Sequence, residues 1–409
     1  MSKLKHMPMW QKILIALTLG VGAGLLFGDY AKMLKPLGDI FMSLIRMTVQ
    51  PVIFVSLVCG ILSLHDLSKM GRIAAKTLLV FALTMAFAAA LGMGLATLFG
   101  IGTGLNHLIA GAPPVAGKSV SFTETIVSIF PSNVFYSLAN GDVLPVIVFS
   151  IFFGLSINLA GEAGEPVARF FTSLNEVVFK LILLVLSFAP IGVFALMAYV
   201  TADNGFAVLG ELASLVGTIY LACLIMLFGV YSLILRVAGL NPLRFIRKML
   251  PVQLFAYSTG SSSATIPLNI ETAEHQLGVK NSIASFVLPL GATVNMNGLS
   301  TYLGAVAIFA ANAYGVHLSI SQMVMVILTT TLAAIGAAGV PGTALIVMSL
   351  VLSSVGLPLE IIAVIAAVDR IIDMMNTATN VSGDTLAAVI VARSEGDLDR
   401  NTYNAEATE

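Results

Sequence analysis

Asp369-Arg-Ile-Ile-Asp-Met-Met-Asn-Thr-Ala-Thr-Asn-Val-Ser-Gly-Asp384 is the stretch on which the reading of this chain turns. With Asp373 at zero on a helical wheel, Thr377 falls at about 40°, Asn380 at about −20°, Asp384 at about 20° and Asp369 at about −40°. Three carboxylates, an amide and a hydroxyl share one narrow face, and the opposite face is apolar. In a membrane span such groups are costly and turn toward a cavity, a partner charge or an ion. An ion-pair network is the bland reading. Its nearby cations are Arg370 and Arg393, and Arg370 points about 100° away from Asp369, so a cation or amine site is expected.

The composition supplies the membrane. Of 409 residues, 58% are hydrophobic and 10% charged, against about 25% charged in soluble domains. Too few charges remain to cover a water-facing surface of that size, so much of the surface must meet lipid. A net charge of −1 gives no footprint for nucleic acid. Cys59 and Cys223 lie in apolar runs and make neither a disulfide framework nor a zinc site.

Runs long enough to cross a bilayer are read at 11–28, 40–65, 74–101, 140–160, 176–200 and 207–236. The first follows Lys3, Lys5 and Lys12 but carries no small-residue cleavage site, so it is read as an uncleaved span. Trp10 stands where an interfacial anchor would. The basic N-terminus, Lys69, Arg72 and Lys76, and then Arg236, Arg244, Arg247 and Lys248, mark one side of the membrane. The 201–211 connection, with Asp203 and Glu211, marks the other. By the positive-inside rule the N-terminus is expected in the cytoplasm.

Beyond residue 243 the pattern changes. Two apolar stretches are broken by small residues and proline, Ser258-Thr-Gly-Ser-Ser-Ser-Ala-Thr-Ile-Pro267 and Ala334-Ile-Gly-Ala-Ala-Gly-Val-Pro341. Each precedes an apolar helix with polar residues at mid-depth: Asn295-Met-Asn-Gly298 in one, Asp369 to Asp384 in the other. A broken segment plus a polar helix, twice, reads as an internal repeat that lines a binding cavity. Oxygen donors suit a hard cation, and Gly298 and Gly383 are expected to let a helix unwind and present carbonyls. An intramembrane hydrolase built on Ser261–Ser263 is the competing class, but no base stands at a useful spacing.

Taken together these motifs resemble the dicarboxylate/amino acid:cation symporters, the family of glutamate transporters and neutral amino-acid exchangers. The Ser261-Ser-Ser263 tip, Asn295-Met-Asn-Gly298, the Gly-Val-Pro-Gly turn at 339–342 and the spacing Asp373, Thr377, Asn380, Asp384 fall in the family's order over nearly the whole chain. The resemblance implies an all-α polytopic fold of eight transmembrane helices and two re-entrant hairpins with inverted repeats, assembled as a homotrimer. A scaffold of 1–70 and 120–200 would hold a sliding transport domain of 71–110 and 205–395, leaving 396–409 as a polar tail. Hairpin 1 would span about 243–278, and hairpin 2, the gate, about 318–356.

Carried over, Asp373 would take the substrate's ammonium with Thr377 and the Gly260 and Val340 carbonyls. Asn380 and the Ser262 amide, beside Ser261, would hold its α-carboxylate. One sodium would sit on Asp384 with the Gly291, Asn295 and Asn380 carbonyls, Asp369 bracing Asn295. A second would take main-chain oxygens of Thr293, Met296, Ala334, Ile335 and Ala337.

Three departures refine this. Acidic-substrate members place an arginine where this chain has Asn376, or on the first hairpin tip where it has Gly260, and use a threonine where it has Leu299. A buried carboxylate without an ionic partner is costly. A neutral amino acid is therefore expected, with Leu299 and Ala344 as apolar wall and Asn376 as a polar contact. The third cation site keeps Thr84 and Asn295, but Asn297 replaces its carboxylate and Met85 a serine, which weakens it. The expectation is symport of a neutral amino acid with two sodium ions, proton coupling left open, in a bacterial-type plasma membrane with both termini cytoplasmic. Other classes are an anion channel and the hydrolase.

Overall fold

The computed structural model describes residues 9–62, 71–105, 130–140, 143–204, 207–334 and 343–406. Among these it is helical, with no strand and one isolated bridge, Val279 to Leu398. The first helices are α1 (Met9–Phe27), α2 (Lys35–Leu62), α3 (Gly71–Phe99), α4 (Val134–Asn140), α5 (Val143–Leu159), α6 (Glu165–Ser187) and α7 (Ala189–Asn204). Next, α8 (Ala207–Leu224) runs through a π-helical turn, Ile225–Val230, into α9 (Tyr231–Val237). There follow α10 (Pro242–Thr259), α11 (Ser262–Glu271), α12 (Asn281–Val294), α13 (Asn297–Ala313), α14 (Ile320–Ala334), α15 (Thr343–Ser354), α16 (Ile361–Ile365), α17 (Asp369–Glu395) and α18 (Arg400–Asn404).

Three helices among the described residues are long and apolar enough to cross a membrane: Gly71–Phe99, Val208–Val237 and Asn281–Ala313. On α3, Leu79, Leu83 and Phe87 repeat every fourth residue and stand exposed, while Phe81, Met85 and Ala88 are buried. An exposed apolar row of this kind is a lipid-facing surface. The Asn281–Ala313 helix has its apolar stretch wholly buried, and it is the one that breaks, at Asn295 and Met296. Broken backbone at membrane depth is tolerated where protein surrounds it.

The expected span 176–200 is two helices instead. The chain turns at Phe188 between α6 and α7. Pro190, second residue of α7, has no N–H to continue α6 but fits a helix's first turn. Residues 335–342, where the turn of hairpin 2 is expected, lie outside the described residues, and with them the Gly-Val-Pro-Gly sequence, Ile335, Ala337 and Val340.

Packing gathers the helices in two ways. α1 lies along α7, and α2 along α5, α6 and α7. α3 lies along α13, and α17 packs on α10, α12 and α13. One end of the bundle is basic. Arg72 Nε and Lys76 Nζ at the start of α3 donate to Glu395 at the end of α17, and Lys280 Nζ lies 3.0 Å from Asp397. Lys248 Nζ, buried, donates to the carbonyls of Gln276 (2.7 Å), Thr402 (2.8 Å) and Tyr403 (2.9 Å), and the Tyr403 hydroxyl donates to Asn241 O. The Thr402 hydroxyl and the Asn401 amide hold the Asp399 carboxyl below its usual range. The segment after α17 is thereby clasped onto the start of α10 and onto Gln276. At the opposite end, Glu211 accepts from the Gly102 and Gly104 amides at 2.7 and 2.9 Å.

Candidate functional site

Two interruptions and one uninterrupted helix make the site. The first interruption is the tip between α10 and α11. Gly260 ends α10 with φ 62° and ψ 32°, the left-handed conformation that glycine adopts without strain. Ser261 then caps α11, its hydroxyl accepting from the Ala264 amide. The second interruption is Asn295 and Met296, both outside helical geometry, between α12 and α13. Past both runs α17, helical from Asp369 to Glu395 without a break.

Gly383 therefore does not unwind its helix, contrary to the sequence expectation. Its use is close approach. A Cβ there would lie 2.3 Å from Asn297 Nδ2, 2.8 Å from the Tyr231 hydroxyl and 3.1 Å from Asn295 Nδ2. Gly291 does the same for the facing side, where a Cβ would meet the Asp384 carboxyl carbon at 2.6 Å. The broken α12–α13 junction and the polar face of α17 thus interdigitate at two glycines.

Around Asp384 the donors are oxygens and amides. Asn295 Nδ2 donates to Asp384 Oδ1 at 2.9 Å, and both residues are buried. Asn295 Oδ1 and Asn297 Oδ1 are buried with no hydrogen-bond partner among the described residues. Orphaned amide oxygens beside a buried carboxylate suit a hard cation, which takes carboxylate and carbonyl ligands. Asp369 does not brace Asn295 as the resemblance implied. Its Oδ1 accepts from Tyr302 at 3.1 Å, while Asn295 spends its amide nitrogen on Asp384. Thr293, Met296 and Ala334 of the implied second cation set are present, Met296 and Ala334 buried.

At the implied third set, Asn297 Nδ2 donates to the Tyr231 hydroxyl at 2.9 Å, which donates to Thr379 O at 3.1 Å. The amide in place of a carboxylate serves as a cross-brace between α13, α9 and α17. Met85 is buried, and the Thr84 hydroxyl is turned back on its own helix, donating to Val80 O.

The implied substrate residues are distributed along the same face. Thr377 donates to Asp373 O at 2.8 Å, and Ser262 is buried at the hairpin tip. Asn380 Oδ1 accepts from the Gly298 amide at 2.7 Å, and its Nδ2 faces Met296 Sδ at 3.4 Å. Sulfur is a weak acceptor, so that nitrogen is the part of Asn380 least committed to the protein. Asn376 is buried, taking the Cys223 thiol on Oδ1, with Nδ2 unpartnered among the described residues. Leu299 and Ala344 are buried apolar neighbours in the same core.

Arg370 departs most from the sequence expectation. Its Nη1 lies 3.3 Å from Asp373 Oδ2 and its Nη2 donates to Thr259 O at 3.0 Å. A Cβ on Gly260 would come 2.3 Å from that Nη1. The wheel angle from Asp369 had set Arg370 aside; its partner is Asp373, three residues on, a normal helical neighbour for a long side chain. Tyr231, Tyr302 and Cys223 were also missed. The tyrosines' one signal was a phenol hydroxyl inside a membrane-length run, which needs a buried partner.

Buried carboxylates beside orphaned amide oxygens, in a helical bundle with exposed apolar faces, are features of a membrane protein. Comparison with known sequences is specific: the sodium:dicarboxylate symporter family profile matches residues 9–394. The proton/glutamate-aspartate symporter of Escherichia coli is 38% identical over 98% of this chain and 95% of its own length. The proton/sodium-glutamate symport protein of Bacillus caldotenax is 37% identical over 97% and 95%, and the C4-dicarboxylate transport protein of Rhodospirillum rubrum 34% over 96% and 90%. The chain belongs to the sodium:dicarboxylate symporter family. It is a transport protein of the membrane, not an enzyme.

Proposed function

We propose that this chain is a secondary active transporter that couples sodium to the uptake of a neutral amino acid. The ammonium rests on Asp373 with Thr377, and the α-carboxylate on Asn380 and the Ser262 tip. Sodium rests on Asp384 and on a second site completed by hairpin 2. The observation that carries this is the buried Asp384, bonded to Asn295 at the helix break, one helical face with Asp373. The protein works as a homotrimer in the plasma membrane, with 1–70 and 120–200 as scaffold and 71–110 and 205–395 as the sliding domain. The packing of α1, α2, α5, α6 and α7 among themselves supports that division. The basic end with Arg72, Lys76 and Lys248 is cytoplasmic, by the positive-inside rule. The relatives' names supply both sodium and protons as coupling ions; the orphaned oxygens near Asp384 favour sodium.

A second reading is an acidic amino acid. Arg370 beside Gly260 favours it, as do relatives named for glutamate. Asn376, Leu299 and Ala344 favour the neutral one. Thermal unfolding with each of the twenty amino acids, with and without sodium, tests both. Stabilisation by a neutral amino acid in sodium alone is expected. Stabilisation by aspartate or glutamate alone selects the second reading, and no sodium-dependent stabilisation sinks the proposal.

A further inference from the structure

Arg370 and the substrate's ammonium, as placed above, claim the same carboxylate. The guanidinium touches Asp373 through one nitrogen, at 3.3 Å on Oδ2. That is a single contact, not the two-pronged clamp by which arginine holds a carboxylate firmly. Both side chains keep some access, with 25% and 16% of their surface exposed. The pair is thus made to be opened. Its other nitrogen is already anchored on Thr259 O, the last residue of α10, and a helix C-terminus favours a cation. Gly260 leaves the space the guanidinium fills, since any side chain there would collide with Nη1. Arg370 can therefore let go of Asp373 and remain held at the tip of hairpin 1.

We infer that Arg370 is a tethered stand-in for the substrate's ammonium, and that it makes the carrier a net symporter instead of an obligatory exchanger. The inference rests on the reading that Asp373 binds the ammonium. A carboxylate moved through a low-dielectric interior without a partner costs several kcal/mol. With the amino acid bound, the ammonium supplies the partner. Once it has left, a carrier must return across the membrane empty to begin a new cycle, and Asp373 again needs a cation. Arg370, one turn away on the same helix, closes on it. Exchange never requires that step, because the site makes each crossing loaded.

The test uses purified full-length protein in liposomes, with a radiolabelled amino acid that the wild type concentrates under an inward sodium gradient, chosen from the twenty. Two rates are compared: net uptake into vesicles without internal amino acid, and exchange into vesicles preloaded with the same unlabelled compound. Arg370→Gln is expected to lower net uptake by about tenfold or more, the cost of carrying a charge unpaired through a low-dielectric interior being at least that large, while exchange stays close to wild type. Arg370→Lys, which keeps the charge, should recover much of the net rate. Equal loss of both rates makes Arg370 structural and overturns the inference. So does an unchanged net rate. So does an altered preference between aspartate and asparagine with the two rates in their wild-type ratio, which would make Arg370 a reader of the substrate's side chain. Wild type that concentrates no amino acid overturns the underlying assignment as well, an outcome distinct from the other three.

Discussion

Gly383→Ala probes how closely the helix break and α17 are fitted. The new methyl carbon would sit 2.3 Å from Asn297 Nδ2, 2.8 Å from the Tyr231 hydroxyl and 3.1 Å from Asn295 Nδ2. Unstrained contact needs about 3.5–4.0 Å, so Asn297 must retreat by about 1 Å and Asn295 by about half that. Asn297 has nowhere to go, being fully buried with its amide nitrogen on Tyr231 at 2.9 Å. Overpacking of this kind costs about 1–3 kcal/mol. Replacing glycine by alanine inside a helix returns about 1 kcal/mol, leaving a net loss of about 0–2 kcal/mol in stability. Asn295 also orients Asp384, and loosening a hydrogen bond to a charged group by about 1.4 kcal/mol weakens sodium about tenfold. Thermal unfolding in detergent gives the first quantity, and the sodium concentration at half-maximal stabilisation gives the second. Gly94→Ala on α3, where a methyl meets nothing within 4 Å, is the control and should be neutral or slightly stabilising. If Gly383→Ala unfolds at the wild-type temperature with the wild-type sodium midpoint, the fit is looser than these distances imply and the reasoning fails.

Asp384→Asn should raise the sodium concentration needed for amino-acid binding by a factor of about 100 or more, since formal charge supplies much of a hard cation's affinity. A sodium titration of substrate binding measures it, and an unmoved midpoint would place the ion elsewhere. Asn376→Arg, alone and with Leu299→Thr, should favour aspartate and glutamate over neutral amino acids by about tenfold through a bidentate contact. Competition binding reads the ratio, and no change in it would remove position 376 from side-chain recognition. Asn297→Asp with Met85→Ser should raise the number of sodium ions carried per substrate, read from reversal potentials in vesicles. Wild type should carry two or fewer; a count of three would show that Asn297 still holds an ion.

The polar face of α17 was legible because helical spacing alone puts Asp369, Asp373, Thr377, Asn380 and Asp384 together, and the family resemblance covered nearly the whole chain. The unwinding expected at Gly298 falls instead at Asn295 and Met296, with Gly298 inside α13, where a Cβ would strike the Asn376 backbone. What Gly383 does was not legible, since a glycine that loosens a helix and one that admits a neighbour look alike in sequence. The difference lies in what packs against it, here an amide from α13. Asp369 was likewise assigned to the wrong partner, because the competing donor, the Tyr302 hydroxyl, is 67 positions away. Arg370 was misjudged for a local reason. Its angle was measured to Asp369, whereas a side chain of that length reaches the carboxylate three residues on. The division of α6 from α7 turned on one proline inside a run whose hydropathy never falters.

The clasp at the basic end bears on the order in which the protein can be completed. Lys248 emerges during synthesis 154 positions before Thr402, whose carbonyl it needs. Until that later segment arrives, one of the ammonium's acceptors, Gln276 O, is at hand and the other two are not. A buried ammonium short of acceptors is unfavourable, so Lys248 has its full set of partners only once the segment after α17 has been made. The final fastening then draws residues 241, 248 and 276 onto 402 and 403 together. A Lys248→Met chain has no such waiting partner.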